Sequence, residues 1–155
     1  MTWHFAYGSN MSRALMAKRC PGAVAVGTAR LRGWRYIIMG DGYASVVPEP
    51  GATVHGVLWR VMPRDLAALN AYEALHTGLY RRRLLGVRHV SGVVPAIVYL
   101  ARSRAPGRAR AGYQDGIVLP AARDWGLPDS YLAELTRWVP ASAHGRSLVA
   151  PGASA

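Results

Sequence analysis

The sequence predicts an α+β domain built on a curved, partly closed sheet, and three observations lead there. Segments rich in Val, Ile, Tyr and Trp, bounded by turn residues, outnumber the helix-like ones. The early ones follow one another through short turns rather than through helices, which argues against a doubly wound parallel sheet. The chain is 155 residues long, 51% hydrophobic and 17% charged, enough apolar material for one core and unlike a disordered composition.

Taken in order, "WHFAYG" (3–8) reads as the first strand. "SRALMAKRC" (12–20) reads as a helix with Ser12 as candidate N-cap and Pro21-Gly22 ending it. "AVAVGTARLRGWRYIIM" (23–39), "YASVVPEP" (43–50) and "TVHGVLWRV" (53–61) are strands, with Gly40-Asp41-Gly42 as a hairpin turn. "PRDLAALNAYEAL" (63–75) begins with a proline acceptable in a first turn and repeats Leu66, Leu69 and Tyr72 at helical spacing. "LYRRRLLGVRHV" (79–90) and "VVPAIVYLA" (93–101) form a strand pair around the turn in "HVSGVV". "AGYQDGIVLPAARDW" (111–125) has a weaker helical pattern that Pro120 interrupts. "PDSYLAELTRWV" (128–139) is amphipathic, with Tyr131, Leu132, Leu135 and Trp138 inward. No repeat or internal linker divides the chain, so residues 1–140 are expected to be one domain. The tail 141–155, "ASAHGRSLVAPGASA", is expected to be loosely ordered.

Composition narrows the function. No apolar run approaches bilayer length, and "MTWHFAYGSN" lacks the three-part pattern of a secretory leader, so a cytoplasmic protein without a membrane partner is expected. Cys20 is the single cysteine, which excludes an internal disulfide and a cysteine zinc cage and reads as a structural thiol. His4, His55, His76, His89 and His144 are scattered, with no H-E-x-x-H pair, and no metal is expected. The formal charge of +11 has two readings. "YRRRLLGVRH" and "RSRAPGRARAGY" would suit a nucleic acid, yet they match no recognition motif. Lys18 is the only lysine, so an arginine-rich codon bias accounts for the charge, and a nucleic-acid partner is not expected. The positive field would instead help to draw in an anionic substrate.

Acid–base chemistry needs a group whose pKa its surroundings can move, and carboxylates are few. Asp41 lies in a turn, Glu49 between two prolines and Asp65 in a first helical turn, while Asp124, Asp129 and Glu134 fit surface-helix patterns. Asp115 is ambiguous. Glu73 differs, because it falls four residues after Leu69 and seven after Leu66, on the apolar stripe. Desolvation there would raise its pKa toward that of a useful base. The alternative is a helix-end glutamate neutralised by Arg81, Arg82 or Arg83. Ser9 is not a nucleophile of the G-x-S-x-G type. Tyr7-Gly8-Ser9-Asn10 instead reads as a nest for an anion: Gly8 permits an unusual turn, successive N–H groups precede a helix, and Ser9 and Asn10 can donate further bonds. An ordinary strand-to-helix turn capped by Asn10 or Ser12 is the other reading.

Together these pieces resemble the γ-glutamylcyclotransferase family. "FAYGSNM" is similar to its N-terminal substrate loop, which makes Phe5, Ala6, Tyr7, Gly8, Ser9 and Asn10 the expected substrate contacts. "VHGVLWRVMPRDLAALNAYEALHTGLYRRR" resembles its strand, helix, catalytic glutamate and following strand, with Glu73 at the glutamate and Gly78-Leu79-Tyr80 at a G-x-Y element. "AGYQDGIVLPAARDWGLPDSYLAELTRW" resembles its C-terminal region, with Tyr113 at the tyrosine and Gly126-Leu127-Pro128 at a G-L-P turn. The similarity spans most of residues 3–138. It departs where Ala74 follows the glutamate, since many relatives have glycine, and where Asn70 and Tyr72 replace more polar neighbours. His4 stands where some relatives carry tyrosine. The resemblance implies a small mixed β-barrel flanked by helices, and release of 5-oxoproline from γ-glutamyl amines or peptides without metal or organic cofactor. Glu73 would be the acid–base group, with Tyr113 ahead of Tyr80 in orienting the substrate. A non-catalytic member that binds a small carboxylate is the alternative. The leaving amine is not readable from sequence, and both a monomer and a homodimer stay open.

Overall fold

The computed structural model describes residues 2–73 and 78–141. Strands β1 (Thr2–Ala6), β2 (Val24–Ile38), β3 (Ala44–Val61), β4 (Tyr80–His89) and β5 (Gly92–Ala101) form a closed barrel in the order β1-β3-β2-β4-β5. Four helices flank it: α1 (Arg13–Arg19), α2 (Pro63–Tyr72), α3 (Leu119–Asp124) and α4 (Asp129–Thr136). The expected partial closure is therefore complete. All contacts around the barrel are antiparallel except β1 with β5, which run parallel through Trp3–Ala96 and His4–Ile97.

The two segments expected as separate strands at 43–50 and 53–61 are one long strand, β3. Its ladder with β2 is interrupted where Arg32 faces Thr53 but Trp34 already faces Pro48. Both strands turn at this break, with Gly33 of β2 at φ +86° and Gly51 of β3 at φ +85°. Pro50 falls within this break, where a missing N–H costs nothing, and Pro48 stands at its edge opposite Trp34. The Gly40-Asp41-Gly42 turn joins β2 to β3 as expected, with Gly42 at φ +91°.

Ser12 is the N-cap of α1, its Oγ accepting from Leu15 N at 3.2 Å. Cys20 closes the helix and is buried, its thiol pushed up to about 11 by desolvation and the charge of Asp65. Asp65 does more than complement a helix dipole. It is buried and accepts from Met62 N at 3.1 Å and from Gly22 N at 3.2 Å, tying the start of α2 to the turn after α1. Pro120 does not end the third helix: it falls in the first turn of α3, where the helical path changes. A wider turn over Gln114–Val118 leads into it. In α4, Tyr131 and Leu135 are buried and Leu132 half-buried, and Trp138 just past its end is also half-buried, as the amphipathic pattern predicts. The continuation of the second helix through Ala74 and Leu75, and the tail after Ala141, lie outside the described residues.

The core is unusually phenolic. Tyr7, Tyr80, Tyr99 and Tyr113 head its fully buried side chains, and buried hydroxyls need partners. Tyr7 OH donates to Tyr99 O at 2.5 Å, Tyr80 OH to Ala44 O at 3.0 Å and Tyr36 OH to Gln114 Oε1 at 2.8 Å. Gly56 sits where β3 passes under β1, and a Cβ on it would come 2.2 Å from Ala6 O and 2.8 Å from the Phe5 ring. Backbone cannot yield as a flexible side chain does. We expect Gly56→Ala to destabilise the protein by about 1–3 kcal/mol or more, read as a lowered Tm in thermal denaturation. An unchanged Tm would show that β1 shifts freely.

Candidate active site

The chain leaves β1 at Ala6 and turns through Tyr7 and Gly8 into a single tight turn, Ser9–Met11. Within it Met11 N donates to Gly8 O at 3.1 Å and Ser12 N to Ser9 O at 3.0 Å. Gly8 takes φ −119° and ψ −131°, so the left-handed conformation that would demand glycine is not used here. Phe5 and Ala6 belong to the strand itself, opposite Leu58 and Val57, and set the direction in which the turn leaves the barrel.

Arg19, in the last turn of α1, reaches back to this turn. Its Nη1 donates to Ser9 Oγ at 2.9 Å and to Asn10 Oδ1 at 2.5 Å, and its Nη2 to Tyr72 OH at 2.5 Å. The guanidinium also stacks 3.7 Å from the centre of the Tyr72 ring. Ser9 and Asn10, expected as donors to a ligand, thus use their side-chain oxygens as acceptors for Arg19. With Oδ1 committed, the Asn10 amide turns its Nδ2 toward Glu73 Oε1, 3.4 Å away.

Glu73 follows the last residue of α2, its main-chain N still donating to Leu69 O at 2.8 Å while its side chain turns inward. It is fully buried, and its Oε2 has no hydrogen-bond partner among the described residues. Desolvation pushes its carboxyl up to about 8, opposed by the charge of Arg19 and by the Asn10 hydrogen bond. The arginines suggested as neutralising partners stay outside. Arg81, Arg82 and Arg83 are exposed, and Arg82 bonds Asn70 Oδ1 at 3.4 Å instead.

Tyr80 and Tyr113 meet at one residue of β3. Tyr80 OH donates to Ala44 O, and Ala44 N donates to Tyr113 OH at 3.3 Å. Burial, then the negative charge of neighbours that include Glu73, holds the Tyr7 and Tyr80 phenols protonated well above their ordinary range. The residues expected at the site from Tyr7 to Asn10, with Glu73, Tyr80 and Tyr113, are all buried, and Glu73 and Tyr113 act electrostatically on both Tyr7 and Tyr80 within this cluster. Sequence reasoning missed Arg19 and Tyr99 and did not give Asn70 or Tyr72 a role. Arg19 had a signal, since it lies seven residues after Ser12 and so on the helix face that carries the cap. Tyr99, which donates to Asn70 Oδ1 at 2.7 Å, had none beyond strand alternation. A cleft of about 640 Å³ bordered by Arg35, Glu49, Arg137 and Trp138 shares no residue with the cluster. No three His, Cys, Asp or Glu side chains gather as metal ligands among the described residues.

Residues 4–125 match the family described as gamma-glutamyl cyclotransferase, AIG2-like. A bovine gamma-glutamylcyclotransferase is 31% identical over 88 residues, half of this chain and 46% of the bovine one, so that match spans less than half of the relative. A mouse gamma-glutamylcyclotransferase is 26% identical over 155 aligned positions, covering 92% of this chain and 81% of its own. A solved gamma-glutamyl cyclotransferase structure superposes with a TM-score of 0.83 over 94% of this chain and 92% of that one, at 24% identity, which is a likeness of fold. A family match over most of its length, on a barrel that gathers the YGSN turn and a buried glutamate, makes this chain a member of the gamma-glutamyl cyclotransferase, AIG2-like family.

Proposed function

We propose that the protein releases 5-oxoproline from γ-glutamyl amines or peptides by intramolecular aminolysis, with Glu73 as the acid–base group. The observation that carries this reading is a fully buried carboxyl, one oxygen unpartnered, next to the YGSN turn. The α-amine of the substrate attacks its own γ-carbonyl carbon, a five-membered lactam closes, and the bond from that carbon to the leaving nitrogen breaks. Nucleophile and electrophile share one molecule, so holding the glutamyl chain folded supplies much of the rate as effective molarity. No covalent enzyme intermediate is needed.

Proton transfer remains. The α-ammonium must lose a proton before it attacks. Glu73 takes that proton and returns it to the leaving nitrogen; the second ammonium proton, shed as the ring nitrogen becomes an amide, departs with the amine. An acid with a pKa near 8 serves both steps, since it accepts at one and donates at the other without a large energetic mismatch. The Phe5–Asn10 segment, with the Arg19 charge behind it, suits the substrate's α-carboxylate. The neutral phenols of Tyr80 and Tyr113 would orient the folded glutamyl chain and keep water out.

Glu73→Gln is expected to fold and to lose roughly 10²–10⁴-fold in 5-oxoproline release. Mass detection of 5-oxoproline from a panel of γ-glutamyl dipeptides and amines reads this, and near-parental turnover by the variant would overturn the assignment. The panel also separates the enzyme from a non-catalytic carboxylate binder, which would bind such compounds and release nothing.

The raised pKa makes a second, independent prediction. The folded protein keeps the Glu73 proton up to about pH 8, whereas the unfolded chain releases it near 4.5. Stability therefore falls as pH rises through that window and levels off above it. Glu73→Gln should match the parent below the window and exceed it in Tm above, in melts across the pH range. The kcat/KM profile should rise with an apparent pKa near 8 and fall again with the titration of the substrate's own ammonium.

Arg19 is a positioning residue with a measurable electrostatic effect. Arg19→Met should move the rising limb to higher pH, because the charge that lowers the Glu73 pKa is gone. Arg19→Lys keeps the charge but not the fork, so it should hold the limb near the parental position while raising KM. Equal limbs in the two variants would separate Arg19 from Glu73.

A further inference from the structure

We propose that the row His55, Arg30 and Arg88, running across β3, β2 and β4 and charged through its two guanidiniums, is a binding site for the phosphate group of a small phosphorylated or diphosphate ligand, apart from the Glu73 cluster. In the barrel register Arg30 of β2 faces His55 of β3 on one side and Arg88 of β4 on the other. Directly opposed residues project from the same face of a sheet, with Cβ atoms about 4.5–5.5 Å apart. All three, together with Thr28 and His89, line one cleft of about 380 Å³, and the Gly126–Pro128 turn before α4 completes it.

Like charges set directly opposite one another destabilise a sheet, and both arginines are exposed, with their guanidiniums open to an anion. Among the described residues Arg30–Arg88 is the one register pair between β2 and β4, so this seam of the barrel sets two like charges opposite each other. No acidic side chain lines the cleft. Among the described residues the ion pairs are Arg13–Asp124 and Arg35–Glu49, and neither Arg30 nor Arg88 takes part in one. Asp129, next after Pro128, is exposed and pairs with neither.

The remaining groups border the same cleft. His89 Nδ1 lies 3.2 Å from Ser91 Oγ, which fixes the ring, and its Nε2 lies over Gly27, where a Cβ would come within 3.3 Å. Gly27, at φ +145°, forms the bulge in β2 that makes room for that ring. Burial and the charge of Arg30 lower the pKa of His55, leaving it a neutral imidazole. Two guanidinium forks match a dianionic phosphate or a diphosphate, where a lone carboxylate would occupy only one. The cleft volume, at the low end for ligand sites, suits such a group with a small organic remainder.

The test uses inorganic phosphate and pyrophosphate as probes, by calorimetric titration and by thermal denaturation, against chloride at matched ionic strength. Pyrophosphate should bind one to one and raise the Tm, and phosphate should do so more weakly. Arg30→Gln and Arg88→Gln should each raise the Tm of the ligand-free protein while weakening pyrophosphate binding about tenfold or more. Neither should change turnover at Glu73. Arg104→Gln, an exposed arginine outside the cleft, should alter none of these. Equal Tm gains from chloride and pyrophosphate, or undiminished pyrophosphate binding in both variants, would overturn the site. So would salt-dependent binding of a short oligonucleotide that pyrophosphate does not displace, because the row would then serve a nucleic-acid backbone.

Discussion

Removing a carboxyl group from water without giving it a full set of partners is costly, and the arrangement around Glu73 is organised by that cost. The side chain is wholly enclosed, with Asn10 on one oxygen and the charge of Arg19 as the main electrostatic compensation. The same guanidinium binds Ser9, Asn10 and Tyr72, so one side chain joins the turn after β1, the end of α1 and the end of α2. Position and protonation of the acid are consequently set together. A shift of Arg19 would alter the geometry of the turn and the affinity of the glutamate for its proton at once.

The barrel that carries this cluster closes through short seams. β1 meets β5 through two register pairs and β2 meets β4 through one, against the long β2–β3 and β4–β5 ladders. Buried tyrosines tie strands together in addition to the ladders. Tyr7 OH, just past β1, bonds the β5 main chain at Tyr99, and Tyr80 of β4 bonds β3 at Ala44. Ala44 in turn donates to Tyr113 at the start of the helical segment. These hydroxyls brace the barrel and, being held protonated, also supply a polar wall beside the acid.

Charge is deployed differently on the outside. With 19 basic and 8 acidic residues, most arginines cannot find a carboxylate. Five lie over aromatic rings: Arg13, which also pairs with Asp124, on Trp125, Arg60 on Trp3, Arg83 on Trp34, Arg110 on Tyr43 and, within the buried cluster, Arg19 on Tyr72. A planar guanidinium stacks in this way and a lysine ammonium does so less well, which gives the near absence of lysine a physical use beyond codon bias. Arg30 and Arg88 are among those with no such ring, and they face each other.

By itself the sequence determined the strand-rich α+β architecture, the Ser12 cap, the Gly40–Gly42 turn and the position of Glu73 on the apolar stripe of its helix. These are local matters, fixed by side-chain periodicity, backbone preference and turn chemistry within a few residues. It also carried the YGSN turn and the two tyrosines as motifs. Only the tertiary structure decided that the barrel closes fully, that β3 continues past its prolines, and that Pro120 starts a helix instead of breaking one. It also selected Arg19, from several arginines, as the charge beside the acid, and turned Asn10 toward Glu73 across 63 positions of sequence. Such choices depend on which groups burial brings together and which are left to satisfy one another, and no spacing along the chain encodes that.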